Sequence, residues 1–313
     1  MTVKTRPRAA VIIPTHNRVA LLPRVLDSVL AQSVEAEIYV MDDASTDETE
    51  AIVRRDYPGV FYRREETSKG PTFQRNKAAA LTEAEILFTI DDDCVLKSPR
   101  TLEQTLAAFD NPRVGGVTLP WANVLTDGIV RHSAPDQAGV WLCFDYLGGM
   151  VALRRDVFLG VGGYRPYLYI QVEEQDLSIR MLQAGYVVRL GSADPLDHLE
   201  SALRDNPRRH RQGPRNYVLY AFYNVPWPYF PIHLLGATML CMKLGVSIGH
   251  PIYAVEGLCQ GYWGMMHEFG RRSPVPGNIY RLARMMKRRG QVALSAVEGL
   301  LPPLKPAEAA IKG

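Results

Sequence analysis

The first 120 positions alternate between short apolar runs and longer stretches with helical spacing. Residues 9–13 form an uninterrupted apolar run that stops at Pro14, as a strand buried on both faces would. Leu22, Val25, Leu26, Val29 and Leu30 then recur every three or four residues, which predicts a helix over 21–30. Further strands are predicted at 37–41, 60–62, 86–90 and 114–119, and further helices at 74–81 and 99–109. Ser45 or Thr46 is expected to cap another helix, with Asp47 and Glu48 in its first turn. Strands and helices in strict alternation imply an α/β fold: a mostly parallel sheet with helices on both faces. Ligands of such sheets collect beyond the C-terminal ends of the strands. His16 and Asn17, Asp42 and Asp43, and Asp91 to Asp93 all fall there.

The pattern weakens after Leu119. Residues 121–145 read as loop, 148–153 as a strand, Gly162-Gly163 as a turn, 174–184 as a helix and 186–190 as a strand. From Arg204 onward the chain turns basic, then aromatic and proline-rich, and 302–313 reads as a loose tail. Residues 216–242 contain no Asp, Glu, Lys or Arg, which reaches the length of a membrane span. Pro226, Pro228 and Pro231 divide that stretch, and Asn224 and His233 add polarity, so a buried or interfacial segment is expected instead.

Composition is that of an ordinary globular protein, 47% hydrophobic and 22% charged, which excludes a disordered or fibrous chain. The net charge of +3 argues against a general polyanion binder, and no nucleic acid is expected. Basic residues nevertheless cluster at 204–215 and 281–289. Cys94, Cys143, Cys241 and Cys259 lack redox or metal-site spacing, and the N-terminus has no apolar core of signal-peptide length. These features predict a cytoplasmic protein, with peripheral contact to the cytoplasmic face of a membrane as an option.

Several stretches carry chemistry. In "TIDDDC", Asp91 and Asp93 lie at alternate positions after a strand and suit a hard divalent cation, Mg²⁺ or Mn²⁺, that also binds a diphosphate. A polar turn explains the same residues. In "VMDDASTDET", Asp43 fits a nucleobase or ribose contact, or a helix cap. In "KGPTFQRNKA", Arg75 at a helix start suits phosphate. In "VEEQDLSIR", Glu173, Glu174 and Asp176 either complement the helix dipole or supply a general base. His198 in "DHLES" is a metal ligand or a structural histidine.

In this order, with "VIIPTHNR" before them and "GGMVALRRDVFLGVGGY" between, the stretches resemble family 2 glycosyltransferases of the GT-A fold over about residues 9–225. The resemblance implies inverting transfer of a sugar from a nucleoside diphosphate to an acceptor hydroxyl, on a glycan or a lipid-linked molecule. It implies Glu174 as the general base, with Glu173 as the alternative. It implies a nucleotide pocket made by Pro14, His16, Asp43 and Arg75, with Asp92 turned toward the sugar. Asp91, Asp93 and His198 would serve the metal, Asp93 most directly. The catalytic domain would span 1–225, a nucleotide half to about 120 and an acceptor half after it, with a helical extension over 226–313. Two departures stand out. Relatives often carry Glu-Asp-x-Asp where this chain has Glu173-Glu174-Gln175-Asp176, and acids where it has Arg165-Pro166. The rival readings are a nucleotidyltransferase, which would carry a glycine-rich loop after the first strand, and an inactive sugar-nucleotide-binding scaffold, which would be expected to lose the acids.

Overall fold

The computed structural model describes residues 7–199 and 207–306. Glu200, Ser201, Arg204 and the tail beyond 306 lie outside the described residues. The chain opens with β1 (Ala9–Thr15), α1 (Leu22–Leu30), β2 (Glu37–Asp42), α2 (Thr49–Asp56), β3 (Phe61–Arg64), α3 (Pro71–Leu81) and β4 (Ile86–Ile90). It continues through β5 (Cys94–Val95), α4 (Thr101–Ala107), β6 (Val114–Thr118), β7 (Trp121–Asn123), β8 (Val130–Arg131), β9 (Trp141–Cys143) and β10 (Met150–Arg154). Then come α5 (Arg155–Gly160), α6 (Glu173–Gln183), β11 (Val187–Arg189) and β12 (Leu196–His198). The rest is helical, with α7 (Pro207–Asn224), α8 (Phe230–Ser247), α9 (Pro251–His267) and α10 (Gly277–Arg289), and ends in a short strand, β13 (Val292–Ala293), and two single 3₁₀ turns.

The main sheet has nine strands in the order β13-β9-β11-β6-β10-β4-β1-β2-β3. Its parallel character lies in β4-β1-β2-β3 and in the β6-β11 pair. β10 runs antiparallel to both neighbours, and β9 does so to β11 and β13, so the sheet is mixed rather than mostly parallel. A second sheet has the order β5-β12-β7-β8. Residues 121–145, expected as loop, therefore supply β7, β8 and β9. Strands of two or three residues are too short to leave an alternating pattern.

β1 is buried at every position because helices cover both of its faces. Leu22, Val25, Leu26 and Val29 of α1 pack against Val11, Ile13, Phe88 and Ile90 on one side. Ala78, Phe158, Leu177 and Met181 pack against Ile12, Leu87 and Val151 on the other. Each such aliphatic side chain contributes about 1.5–3 kcal/mol. The expected cap at Ser45 or Thr46 is not formed, since α2 begins later, at Thr49. The Ser45 amide instead donates to Asp42 Oδ1 at 2.7 Å, and its hydroxyl accepts from the Asn17 amide at 2.9 Å. Asn17, at φ 53°, also accepts from the Thr46 and Asp47 amides, which locks the loops after β1 and β2 together.

The helical end is joined to this body. α10 packs on α6, and β13 forms the edge of the nine-stranded sheet. Arg165 finds its purpose here. It pairs with the fully buried Asp176 at 2.6 Å, while Arg180 holds the other carboxylate oxygen at 2.7 Å and Asn224 of α7 donates at 2.8 Å. Asp176→Ala leaves two guanidinium groups half-buried without their carboxylate. It should cost about 3–5 kcal/mol, read as a lowered urea midpoint.

Candidate active site

A cleft of about 770 Å³ opens above the C-terminal ends of β1, β2 and β4 and runs toward α7, α8 and α9. Pro14, His16, Asp43, Arg75, Asp91, Asp92, Asp93, Glu173, Glu174 and His198 all line it, so every residue predicted for the site meets in one place.

At the strand-two end, Asp43 organises a loop. Its carboxylate accepts from the Lys69 and Gly70 amides, the Ser68 hydroxyl and the Gln74 amide at 2.6–3.1 Å. Burial pushes its pKa up, but these four donors outweigh it and hold the group below its ordinary value. His16 Nδ1 lies 2.8 Å from the Asp43 carbonyl. Tyr169 lies against Gly70, where a Cβ would fall 2.5 Å from its ring, and its hydroxyl meets Ser68 at 2.8 Å.

At the centre sits Arg75, with only 4% of its side chain exposed. It donates to Asp91 Oδ1 at 2.6 Å and lies 3.9 Å from Glu173 Oε1. Burial pulls its pKa down, but Asp91, Tyr164, Glu173 and Glu174 around it raise it further, so it stays charged. Glu173 is buried, and its Oε2 has no hydrogen-bond partner. Burial first, then the charge of Glu174, raises its pKa well above the ordinary value. Glu174 is only partly buried, and its Oε1 accepts from the Gly148 amide at 3.0 Å. Its pKa is also raised, by burial, against the pull of its own and the Gly148 amide and of Arg75. A partly exposed carboxylate of raised proton affinity has the properties of a general base.

α6 owes its aim to strain. Gln171 and Val172 lie at φ 69° and 73°, in the left-handed region, and Val172 is β-branched. Asn216 of α7, fully buried, donates to the carbonyls of Ile170 and Gln171 at 2.9 Å and holds this turn in place.

The three aspartates diverge. Asp91 turns to Arg75. Asp92 lies 3.9 Å from Arg18 Nε, and burial together with the charge of Asp93 raises its pKa to about 7 against the pull of Arg18 and Thr15. Asp93 turns to His198, Nε2 to Oδ1 at 3.3 Å, and is 3.3 Å from Arg18. The β5–β12 pairing, which sets His198 opposite Cys94, brings these groups together. Asp93, Cys94 and His198 offer ligand atoms within 4.8 Å of one another. The Cys94 thiol is pushed far above its usual pKa by burial, so it stays protonated and donates toward Asp93. The carboxylate of Asp93 and the imidazole of His198, whose Nδ1 is buried without a hydrogen-bond partner, fit a divalent cation. Asp91, expected as a second ligand, gives its Oδ1 to Arg75.

Some site residues had escaped the sequence reading. Arg18 lies in the "THNR" stretch and screens Asp92 and Asp93. Trp121 sets its ring edge-on to His198, with centroids 5.4 Å apart. Gly148 and Gly149, read only as a strand start, are required by close approach. A Cβ on Gly149 would sit 1.9–2.2 Å from the Asp91 carboxylate, and one on Gly148 would sit 2.7 Å from Arg75. A glycine pair just before an apolar run was the available signal. Gly149→Ala should therefore displace Asp91 and abolish turnover while the protein stays folded. A crystal structure of that variant with Arg75–Asp91 unmoved would contradict this account.

Comparison with known proteins identifies the family and the fold. The description Glycosyl transferase family 2 matches residues 10–167. An uncharacterized glycosyltransferase of Haemophilus influenzae is 28% identical over 185 residues, covering 56% of this chain and 62% of its own length. The O-antigen chain rhamnosyltransferase RfbN of Salmonella typhimurium is 26% identical over 199 residues, covering 58% of this chain and 63% of its own length. The chain thus spans under two thirds of these relatives. The solved structure of mannosyltransferase PcManGT from Pyrobaculum calidifontis, in complex with GDP-Man and Mn²⁺, superposes with a TM-score of 0.57 at 20% identity, covering 98% of this chain and 84% of that one. At that identity the likeness is one of fold, the GT-A fold. By the match over half of its length, the chain belongs to glycosyl transferase family 2.

Proposed function

We propose that the protein is an inverting glycosyltransferase that moves a sugar from a nucleoside diphosphate to an acceptor hydroxyl. The observation that carries this reading is the placement of Glu174 in the same cleft as the Asp93–His198 pair, with Arg75 between the acids. GDP-Man and Mn²⁺ in the solved structure of similar fold support a nucleotide sugar and a metal.

Glu174 accepts the proton of the acceptor hydroxyl. The freed oxygen forms its bond to the anomeric carbon from one side, and the bond to the diphosphate oxygen breaks on the other, its electron pair leaving with the diphosphate. The transition state is oxocarbenium-like. Asp93 and His198 would hold Mn²⁺ or Mg²⁺, which supplies positive charge to the leaving diphosphate when bound. Arg75 keeps Asp91 and the α6 acids in position. The turn of residues 68–70, held by Asp43, forms the nucleoside side of the pocket. Glu173 is buried, which leaves Glu174 as the more exposed of the two acids.

Glu174→Gln should keep donor binding and lower transfer by ~10²–10⁴-fold. Glu173→Gln, an isosteric change at a buried carboxyl, should leave turnover near that of the parent, and the reverse result would make Glu173 the base. Glu174 acts only when deprotonated and its pKa is raised, so kcat/KM should fall with decreasing pH through a midpoint above 4.5. That limb should vanish from the residual rate of Glu174→Gln. Chelation should stop transfer and Mn²⁺ or Mg²⁺ restore it. Undiminished turnover in chelator removes the metal from the reading.

A further inference from the structure

α8 and α9 are built inside out for helices in water. Their inner faces are small. Ala237, Cys241 and Gly245 recur every four residues on α8 and are buried. A Cβ on Gly245 would meet Ala254 at 2.5 Å, and Cβ atoms on Gly257 and Gly261 would meet the Arg211 and Arg215 carbonyls at 2.2 and 2.8 Å. Their outer faces are large and apolar. On α8, Ile232, Leu235, Met239 and Val246 are each more than 60% exposed. On α9, Ile252, Val255, Trp263 and Met266 continue the surface. Only 17% of α8 is buried, and it is long and apolar enough to cross a membrane. A water-facing helix carries its bulk inward. Small residues inside and bulk outside is how helices pack in lipid.

Charge identifies the occupant further. Between Phe230 and His267 the ionised side chains are Lys243 and Glu256, and Glu256 is paired with Arg211 at 2.9 Å. Exposed Arg281 and Arg284 of α10 border the apolar face. Arg284 lines a cavity of about 280 Å³ with Ile232, Gly236 and Leu240 of α8. An apolar face with a basic margin matches an anionic bilayer surface.

Both ends of α8 are tied to the catalytic body, which fixes its orientation. Phe230 packs with Leu168, Phe222 and Tyr223 at its start. Leu244, with Ile248 and His250 beyond its end, lines the cleft that holds Glu174. A helix held so at both ends lies along a membrane rather than through it.

We propose that the outer face of α8 and α9 docks on an anionic lipid bilayer, so that an acceptor anchored in that bilayer reaches the cleft past Leu244 and Ile248. The acceptor half of this statement rests on the transferase reading above, whereas the docking half stands without it.

The test is flotation of the full chain with vesicles of phosphatidylglycerol and phosphatidylcholine, against phosphatidylcholine alone. Binding to the anionic vesicles should be at least about tenfold stronger and should weaken in about 0.5 M salt. Leu235→Ser with Met239→Ser should reduce it about tenfold at unchanged melting temperature, and Arg281→Glu with Arg284→Glu should remove the preference for anionic lipid. In a Trp227→Phe background, brominated lipid should quench Trp263. Failure to float at low salt, or an unquenched Trp263, overturns the docking. So does a concentration-dependent dimer that shields Trp263, because the face then belongs to a second copy. Donor hydrolysis without lipid is measured in parallel. Hydrolysis without flotation sinks the docking alone, and flotation without hydrolysis or transfer sinks the transferase reading alone.

Discussion

One buried guanidinium makes the rest of the site affordable. Arg75 has only 4% of its side chain exposed, and an unpaired charge in that position costs several kcal/mol. Asp91 at 2.6 Å and Glu173 at 3.9 Å surround it, with Glu174 close by. The same cation lets three acids share a small space. One positive charge cannot keep three carboxylates ionised in a buried site. Glu173 is the most enclosed, with one oxygen unpartnered, and burial raises its proton affinity well above the ordinary value. Asp91 is the acid in direct contact with the cation, which is why the triplet divides its labour and leaves Asp93 to His198. Gly148 and Gly149 follow from this arrangement, because a side chain at either position would fill the space where the ion pair and Glu174 meet.

α6 is held from outside the parallel strands. α6 starts from two residues in the left-handed region, and such a turn survives only when its surroundings over-determine it. Asn216 supplies both donors to that turn, and Asn224, two turns further along α7, reaches Asp176. The two asparagines face the same way along one helix, so α7 grips α6 at its first turn and just beyond. α9 in turn packs on α7 through Gly257 and Gly261 without intervening side chains. The segments after residue 206 thus determine where Glu174 points as well as what lies beside it.

The parts of this molecule that could be read from its sequence are those fixed by local chemistry. Buried parallel strands such as β1 and β4 announce themselves as apolar runs, and α1 shows its buried face through Leu22, Val25, Leu26 and Val29. The acids at strand ends were visible because strand ends of such sheets face ligands. What stayed hidden depends on pairing across long separations. β7, β8 and β9 are too short for a periodic signal, and β13 reaches the sheet from the far end of the chain. The division of the triplet between Arg75 and His198 depends on the β5–β12 register and on the glycine pair. Arg165 read as a departure from its relatives, yet it neutralises a buried aspartate that only the folded chain brings within 2.6 Å.

The cleft joins two chemistries, and the proposed reaction requires that it should. Its donor end lies over the parallel strands, where backbone amides, Arg75 and the Asp93–His198 pair suit an anionic nucleotide. Its other end is walled by Tyr217, Leu244, Ile248 and Ala254, with Arg208, Arg209, His210 and His250 among them, so apolar and basic groups share that wall. Displacement with inversion places the entering oxygen and the leaving diphosphate on opposite sides of the anomeric carbon. The acceptor must therefore approach from the side away from the diphosphate, and a helical wall supplies that side. Glu174 lines the cleft between these two ends, and in the proposed reaction the donor's sugar would reach it from the sheet and a hydroxyl from the helices. The exposed face of α8 is the same wall seen from outside.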